Sequence, residues 1–328
     1  SSAFAGTNGI VGGWATVNGV DWVNAGTAMT AYSGYTSGLP ISGAATSSAN
    51  YLNTADVLVS ATVGSVNTLK LAGPQTVTLS GALGFTANPG GLLFDNSTGA
   101  ASITGSTIGS SGNELVVITN GSQVGNALTI GSLIGGGTTA LTKSGSGTLV
   151  LSGANVFTGN TVVNEGILRL SGVSATLGAI TTPANTTTIR QGGVLEVNGA
   201  GAVTTVYSGT DLPMVTLGVP SGAGVIRNGA ATGAAVSLGS GTSTAASVFT
   251  GVLADGGAGA LTVVRNATSG TVTLSGANTY TGATVLNGGT LAVTRLANGG
   301  LASGIGASSS AAGNLVFNGG TLQYTGAG

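Results

Sequence analysis

The chain has 328 residues, of which 5% are charged, and its formal net charge is −1; an average soluble protein carries about 25% charged residues. That balance excludes the basic patch that binds nucleic acid or an anionic membrane surface. Cys and His are both absent, which removes disulfides, zinc sites built on thiolates or imidazoles, and His-based acid–base catalysis.

Taken from the N-terminus, SSAFAG lacks a basic stretch followed by an apolar run, so any signal peptide is expected to lie outside this sequence. Residues 1–56 then hold six of the 14 aromatics: Phe4, Trp14, Trp22, Tyr32, Tyr35 and Tyr51. Such a cluster suits a cap that closes one end of a fold, or a segment that binds a partner subunit or a carbohydrate. Beyond residue 56 the apolar residues alternate with period two, the pattern of a half-buried strand and not of a helix. The clearest strands are Leu69–Leu71, Thr76–Leu79, Thr148–Leu151 and Thr271–Leu274, each punctuated by Gly, Asn or Ser within a few residues. No stretch of about 18 apolar residues runs without polar breaks, so no membrane-crossing helix is expected. Mean hydropathy is +0.47, too apolar for a solvated disordered chain.

Two segments repeat one another. LSGANVFTGNTVVNEGILRL (151–170) and LSGANTYTGATVLNGGTLAV (274–293) share 12 of 20 positions without gaps. A shorter unit occurs four times, as NEGILRL (164–170), QGGVLEV (191–197), NGGTLAV (287–293) and NGGTLQY (318–324). Superimposed on their second Gly, these put Leu168 with Leu170, Leu195 with Val197, Leu291 with Val293 and Leu322 with Tyr324 on one face. The other face collects Ile167 with Arg169, Val194 with Glu196, Thr290 with Ala292 and Thr321 with Gln323. Spacings of 27 and 31 residues between neighbouring copies point to a solenoid, in which each unit buries its apolar edge only against the next. The fold expected is all-β, a right-handed parallel β-helix of about 27 residues per coil, with successive coils about 4.8 Å apart. An aromatic-richer segment at 1–56 would act as its cap or assembly segment, and 57–328 would form the helix proper.

The segment ALTKSGSGTLVLSGANVFTGNTVVNEGILRL, from Ala140 to Leu170, resembles the autotransporter-associated β-strand repeat (PATR-type) of bacterial surface proteins. Leu261–Val293 is a second copy, three residues longer than the matching Leu141–Leu170 and without the LTKSGSG run, and IVGGWATVNGVDWV (10–23) is similar to a segment that precedes such repeats. The resemblance implies a secreted β-helical passenger on the outer cell surface, often much longer than this chain, with no catalytic residues in the repeat. The sequence stops inside a repeat-like unit, so it is read as a piece of a longer protein or as one exported by another route.

The chemistry-bearing residues agree with that picture. The eight acids are Asp21, Asp56, Asp95, Glu114, Glu165, Glu196, Asp211 and Asp255, and no two lie within ten residues. No carboxylate pair for polysaccharide cleavage is therefore read from them. The calcium-binding Asp-x-Asp-x-Asp loop and the GGxGxD repeat are absent, so no metal or cofactor is expected. The outward positions are too mixed for a flat Thr array, and four N-x-S/T matches are what chance gives in so Asn-, Ser- and Thr-rich a chain. The expectation is a non-enzymatic extracellular stalk, sheath or filament unit. Its alternative is an adhesin that binds glycans or cells through a lateral face or residues 1–56. Partners would be further copies joined end to end or a covalent continuation, with a glycan or cell-surface ligand in the second reading. Three sets of residues follow. Arg169 and Glu196 would form an exposed cross-coil ion pair, worth at most about 1 kcal/mol. Leu149, Leu151, Leu168, Leu170, Leu195, Val197, Val272, Leu274, Leu291 and Val293 would form one apolar column. Trp14, Trp22, Tyr32, Tyr35, Tyr51 and Tyr324 would form an assembly or ligand surface, with 1–56 meeting the region near Asn314–Tyr324 of a neighbour.

Overall fold

The computed structural model describes residues 5–95, 98–111, 114–121, 125–135, 140–178, 186–199, 201, 203–207, 210–241 and 246–327. Among these, one 3-10 turn at Ala312–Asn314 is the only helical element; every other element is a strand. The chain divides into two units, Ser1–Phe157 and Thr158–Gly328.

The first unit contains three ladders of parallel strands. One stacks Asn50–Asn53, Thr68–Ala72, Gly90–Asp95, Glu114–Asn120 and Ala140–Ser144. The second stacks Val57–Val59, Gln75–Leu79, Ala101–Gly105, Ala127–Ile130 and Thr148–Leu151. The third stacks Gly64–Val66, Leu83–Phe85, Thr107–Ser110 and Leu133–Ile134. Each of the first four turns of chain contributes one strand to each ladder, and the fifth adds one to the first and second, which is the connectivity of a parallel β-helix. Sequence alternation sets which side chains fill it. Leu69, Leu92, Val117 and Lys143 stand in register in the first ladder, and Val77, Ile103 and Ile130 in the second; all are fully buried. Each such aliphatic side chain contributes about 1.5–3 kcal/mol by leaving water.

The first ladder is covered on its outward side as well. Leu93, Val116 and Ile118 alternate with the inward residues, so they point out, yet they are buried beneath Ile10 and Trp22, with Tyr32 and Tyr35 packed alongside. The N-terminal segment lies across this face. Gly13 approaches Gly91 so closely that a Cβ on Gly13 would come within 2.7 Å of the Gly91 Cα, and neither position has room for a side chain.

The second unit also has three ladders. The first runs Thr161–Val163, Thr186–Ile189, Val219–Gly222, Ser247–Phe249, then residues 271–274, 290–293 and 321–324. The second runs Gly166–Ser171, Gly193–Asn198, Val225–Asn228 and Val252–Asp255. The third opens at an antiparallel hairpin of Val203–Tyr207 with Thr210–Leu217. It continues through Ala234–Gly241, residues 261–267 and 284–286, and Leu315–Phe317. Here too an outward strip is covered: Ala235, Val264, Ala283 and Val285 are buried with Val206, and Leu212, Met214 and Val316 pack on them.

The ten residues expected in one apolar column do not form one. All ten are buried, but in the second unit they fall on two faces. Leu168 and Leu195 continue into Ile226 and Leu253, whereas Val272 and Leu274 stack under Leu291 and Val293. The third ladder is the reason. It begins downstream of the first repeat, and the second repeat enters the coil on it at Leu261, one face out of phase.

Leu168 is fully buried and stands in register with Leu195 of the next coil. Leu168→Asp would place a carboxylate there with no cation to meet it, at a cost of several kcal/mol. A denaturation midpoint like that of the unaltered chain would show that the interior has been assigned to the wrong face.

Candidate functional site

The repeated residues each have a place in the coil. In the first unit, Gly153 sits where a Cβ would come within 2.7 Å of the Ser132 carbonyl; in the second, the matching Gly276 would come within 1.8 Å of the Gly251 carbonyl. Two residues on, Asn155 accepts a hydrogen bond from the Ile134 N–H at 2.9 Å, and the matching Asn278 accepts one from the Leu253 N–H at 2.9 Å. Asn278 also donates to the Gly304 carbonyl at 3.0 Å. Both amides are buried, and each ties its turn to a neighbouring coil. Phe157 and Tyr280 fill the interior next, and the Tyr280 hydroxyl shares a 2.7 Å hydrogen bond with Thr284. Burial pushes the Tyr280 phenol well above its ordinary range, with the Thr284 contact opposing that shift.

Both copies also bury a cation, which the alternation did not single out. Lys143 is fully enclosed and donates to the carbonyls of Ser144 at 2.8 Å and Gly145 at 2.6 Å. Arg265, 1% exposed, donates to the carbonyls of Leu238 at 2.8 Å, Ser269 at 2.8 Å, Gly270 at 3.0 Å and Thr290 at 3.3 Å. Each sits just before the corner that leads into the next strand, where carbonyls turn away from the ladder and need donors. Burial lowers the Arg265 pKa.

Arg169 and Glu196 are directly in register on adjacent strands and form an ion pair. The exposure expected of that pair is not what the structure has. The Glu196 side chain is 4% exposed, because Arg227 on the following strand closes over it with Nε at 2.8 Å and Nη2 at 2.6 Å from Oε2. Arg227 lies in VIRN, which lacks the Gly-Gly signature, so superposition of the four short units passed it by.

Of the residues expected to form an assembly or ligand surface, Trp22 and Tyr51 are inside. Trp22 is 0% exposed in the packing beneath the N-terminal segment, and Tyr51 pairs in register with Leu69, which turns its ring inward. Tyr35 is half-buried. It donates to Asp21 at 3.1 Å, and its ring lies 5.5 Å from the Lys70 ammonium, which pairs with Asp21. Tyr32 meets Tyr35 edge-on at 5.1 Å, while Trp14 and Tyr324 are exposed.

None of the eight acids stands without a partner. A pocket of about 420 Å³ in the second unit is lined by Asn298, Ser303, Ser308, Ser309 and Asn314, with no charged side chain. A shallow groove of about 470 Å³ in the first unit runs past Gln75, Thr76, Ser102 and Thr129, with Asp56 its single acid. Among the described residues no group of three or more acids gathers to hold a metal, and no helix is long and apolar enough to cross a membrane. Of the four N-x-S/T matches, those at 96–98, 120–122 and 185–187 fall partly outside the described residues.

Asn278→Ala leaves the buried Leu253 N–H without its acceptor and is expected to cost about 1–3 kcal/mol of unfolding free energy in a denaturant titration. Tyr280 gives an alkaline signature. Its folded pKa lies above the unfolded value of about 10, so its contribution is complete below that pH and is lost as pH rises further. Tyr280→Phe, in which Thr284 keeps the Ile305 carbonyl as acceptor at 3.2 Å, should lose less stability than the unaltered chain between pH 8 and 10.5.

The Passenger-associated-transport-repeat family model matches residues 141–170 and 269–293. The chain is also 38% identical over 274 residues to "Adhesin BmaC autotransporter" of Brucella suis biovar 1 (strain 1330); that stretch is 80% of this chain and 7% of that protein. No solved structure matches. The chain carries two passenger-associated-transport repeats on parallel β-helical coils, and in this it is similar to autotransporter-associated repeat proteins of the bacterial outer surface.

Proposed function

We propose that this chain is a non-enzymatic solenoid segment of a longer surface passenger, serving as a stalk or sheath that holds other parts away from the cell. One observation carries the reading: the repeated residues are spent on stacking coils, through Gly153 with Gly276 and Asn155 with Asn278, and each copy adds a buried cation bound to main-chain carbonyls, Lys143 or Arg265. Neither pocket gathers a pair of acids, which a retaining or inverting glycosidase would need. Within this reading residues 1–56 act as a cap, whose first part packs sideways and whose Asn50–Asn53 strand joins the first ladder, and 57–328 continue the load-carrying helix. Contact between coil ends belongs to it too, through Phe317 and Tyr324, which are 57% and 49% exposed.

A second reading has its own support. The Brucella relative is named an adhesin, so this segment would itself touch a host surface with one of its lateral faces. Beads coated with the purified chain and added to cultured epithelial cells separate the two. Adherence well above that of albumin-coated beads is expected for an adhesive segment, and none for a passive stalk. Release of sugars or peptides from polysaccharide or protein substrates by the same preparation would overturn both.

A further inference from the structure

The seven basic residues of the chain are unevenly placed. Lys143 and Arg265 point inward onto carbonyls, Lys70 is buried against Asp21, and Arg190 and Arg295 are exposed singly. Only Arg169 and Arg227, among the described residues, converge on one face. They do so around a carboxylate that is 4% exposed, while their own side chains are 35% and 31% exposed. Three formal charges leave the cluster at +1, and the side chains of it that meet solvent are the two arginines.

Glu196 also fixes how those guanidiniums stand. It engages Nε of Arg169, and Nε with Nη2 of Arg227. A guanidinium has five N–H donors, so four remain on Arg169 and three on Arg227 beyond the contacts to Glu196. Both forks are thus oriented before any ligand arrives, which lowers the entropy lost on binding.

Two residues back along each strand runs a second ladder on the same face. Ile167, Val194, Val225 and Val252 are in register and all half-buried. Strand geometry sets about 4.8 Å between rungs and about 6.6 Å between the two ladders. A smooth aliphatic strip therefore runs across the coils beside a cationic one.

We propose that this double ladder binds an acidic polysaccharide, one whose sugar units carry carboxylates, laid across the strands. The carboxylates would meet the Arg169 and Arg227 forks, whose planar donors match a carboxylate in two-point fashion. The C–H faces of the sugar rings would lie over Ile167, Val194, Val225 and Val252. The strip carries no Trp, Tyr or Phe, the anchors on which protein partners usually depend, and its flatness suits an extended polymer. The proposal rests on the adhesive reading, and it names that reading's face and ligand class.

Polygalacturonate, dextran sulfate, uncharged dextran and polyglutamate, each immobilised, are the probes for the full chain. Polygalacturonate should be retained, with affinity falling steeply between 50 mM and 300 mM salt. The variant Arg169→Gln/Glu196→Gln/Arg227→Gln removes all three charges together and leaves no orphaned ion. It should bind at least tenfold more weakly while unfolding at a similar temperature. Arg190→Gln/Arg295→Gln should bind as the unaltered chain does. Retention of the triple variant at unchanged strength would overturn the proposal. Equal binding of dextran sulfate would reduce it to capture of any polyanion, and equal binding of dextran or polyglutamate would reject the ligand class. In the bead assay, adherence that survives the triple variant sinks this strip and leaves the adhesive reading standing. Absence of adherence by the unaltered chain sinks that reading itself.

Discussion

Backbone pairing between successive coils governs this molecule. A strand inside a parallel ladder turns the N–H and C=O of alternate residues to the neighbour on one side and those of the residues between to the neighbour on the other, so its alignment with both is fixed by its register. Whatever side chain stands at one rung then stands over its counterpart about 4.8 Å away. Small apolar residues become continuous walls, charges become columns, and a residue that disturbs one rung disturbs the next. The repeated Asn residues extend the same principle to the corners, where the backbone leaves the ladder and Asn155 and Asn278 supply the missing acceptors from their side chains.

The corners explain the buried cations. A lone charge taken into an apolar interior is strongly disfavoured unless hydrogen bonds replace its water. At Lys143 and Arg265 those replacements are main-chain carbonyls, among them Ser144 and Gly145 at the first corner and Ser269 and Gly270 at the second. The longer corner of the second repeat takes the residue with the wider fan of donors. Arg reaches carbonyls on three different coil segments there, at Leu238, at Ser269 with Gly270, and at Thr290.

Much of the frame was legible in the residues. Period-two alternation and the Gly-Gly signature located the strands and gave the register of Gly166 on Gly193 and of Leu291 on Leu322. Three things were not legible. Alternation looks the same whether an outward face is wet or covered, so the burial of Leu93, Val116 and Ile118 under Trp22 left no trace in their own strands. The phase of a repeat depends on how many faces the coil has by then, and the third ladder starts at a hairpin without a repeat motif. Arg227 escaped because its strand, VIRN, follows a different turn; its role comes from standing one rung beyond Glu196. Only the assembled ladder brings two cations to one carboxylate.

The two coverings share an order along the chain. Ile10 and Trp22 precede the residues they shield, Leu93, Val116 and Ile118, and Val206 precedes Ala235, Val264, Ala283 and Val285, with which it is buried. Because the first cover comes from the N-terminal side, it can be lost while the ladders behind it keep their register. Exposed apolar faces are where copies of a chain stick to one another. A chain trimmed of residues 5–35 would thus keep its strand pairings and present Leu93, Val116 and Ile118 as a surface on which copies gather.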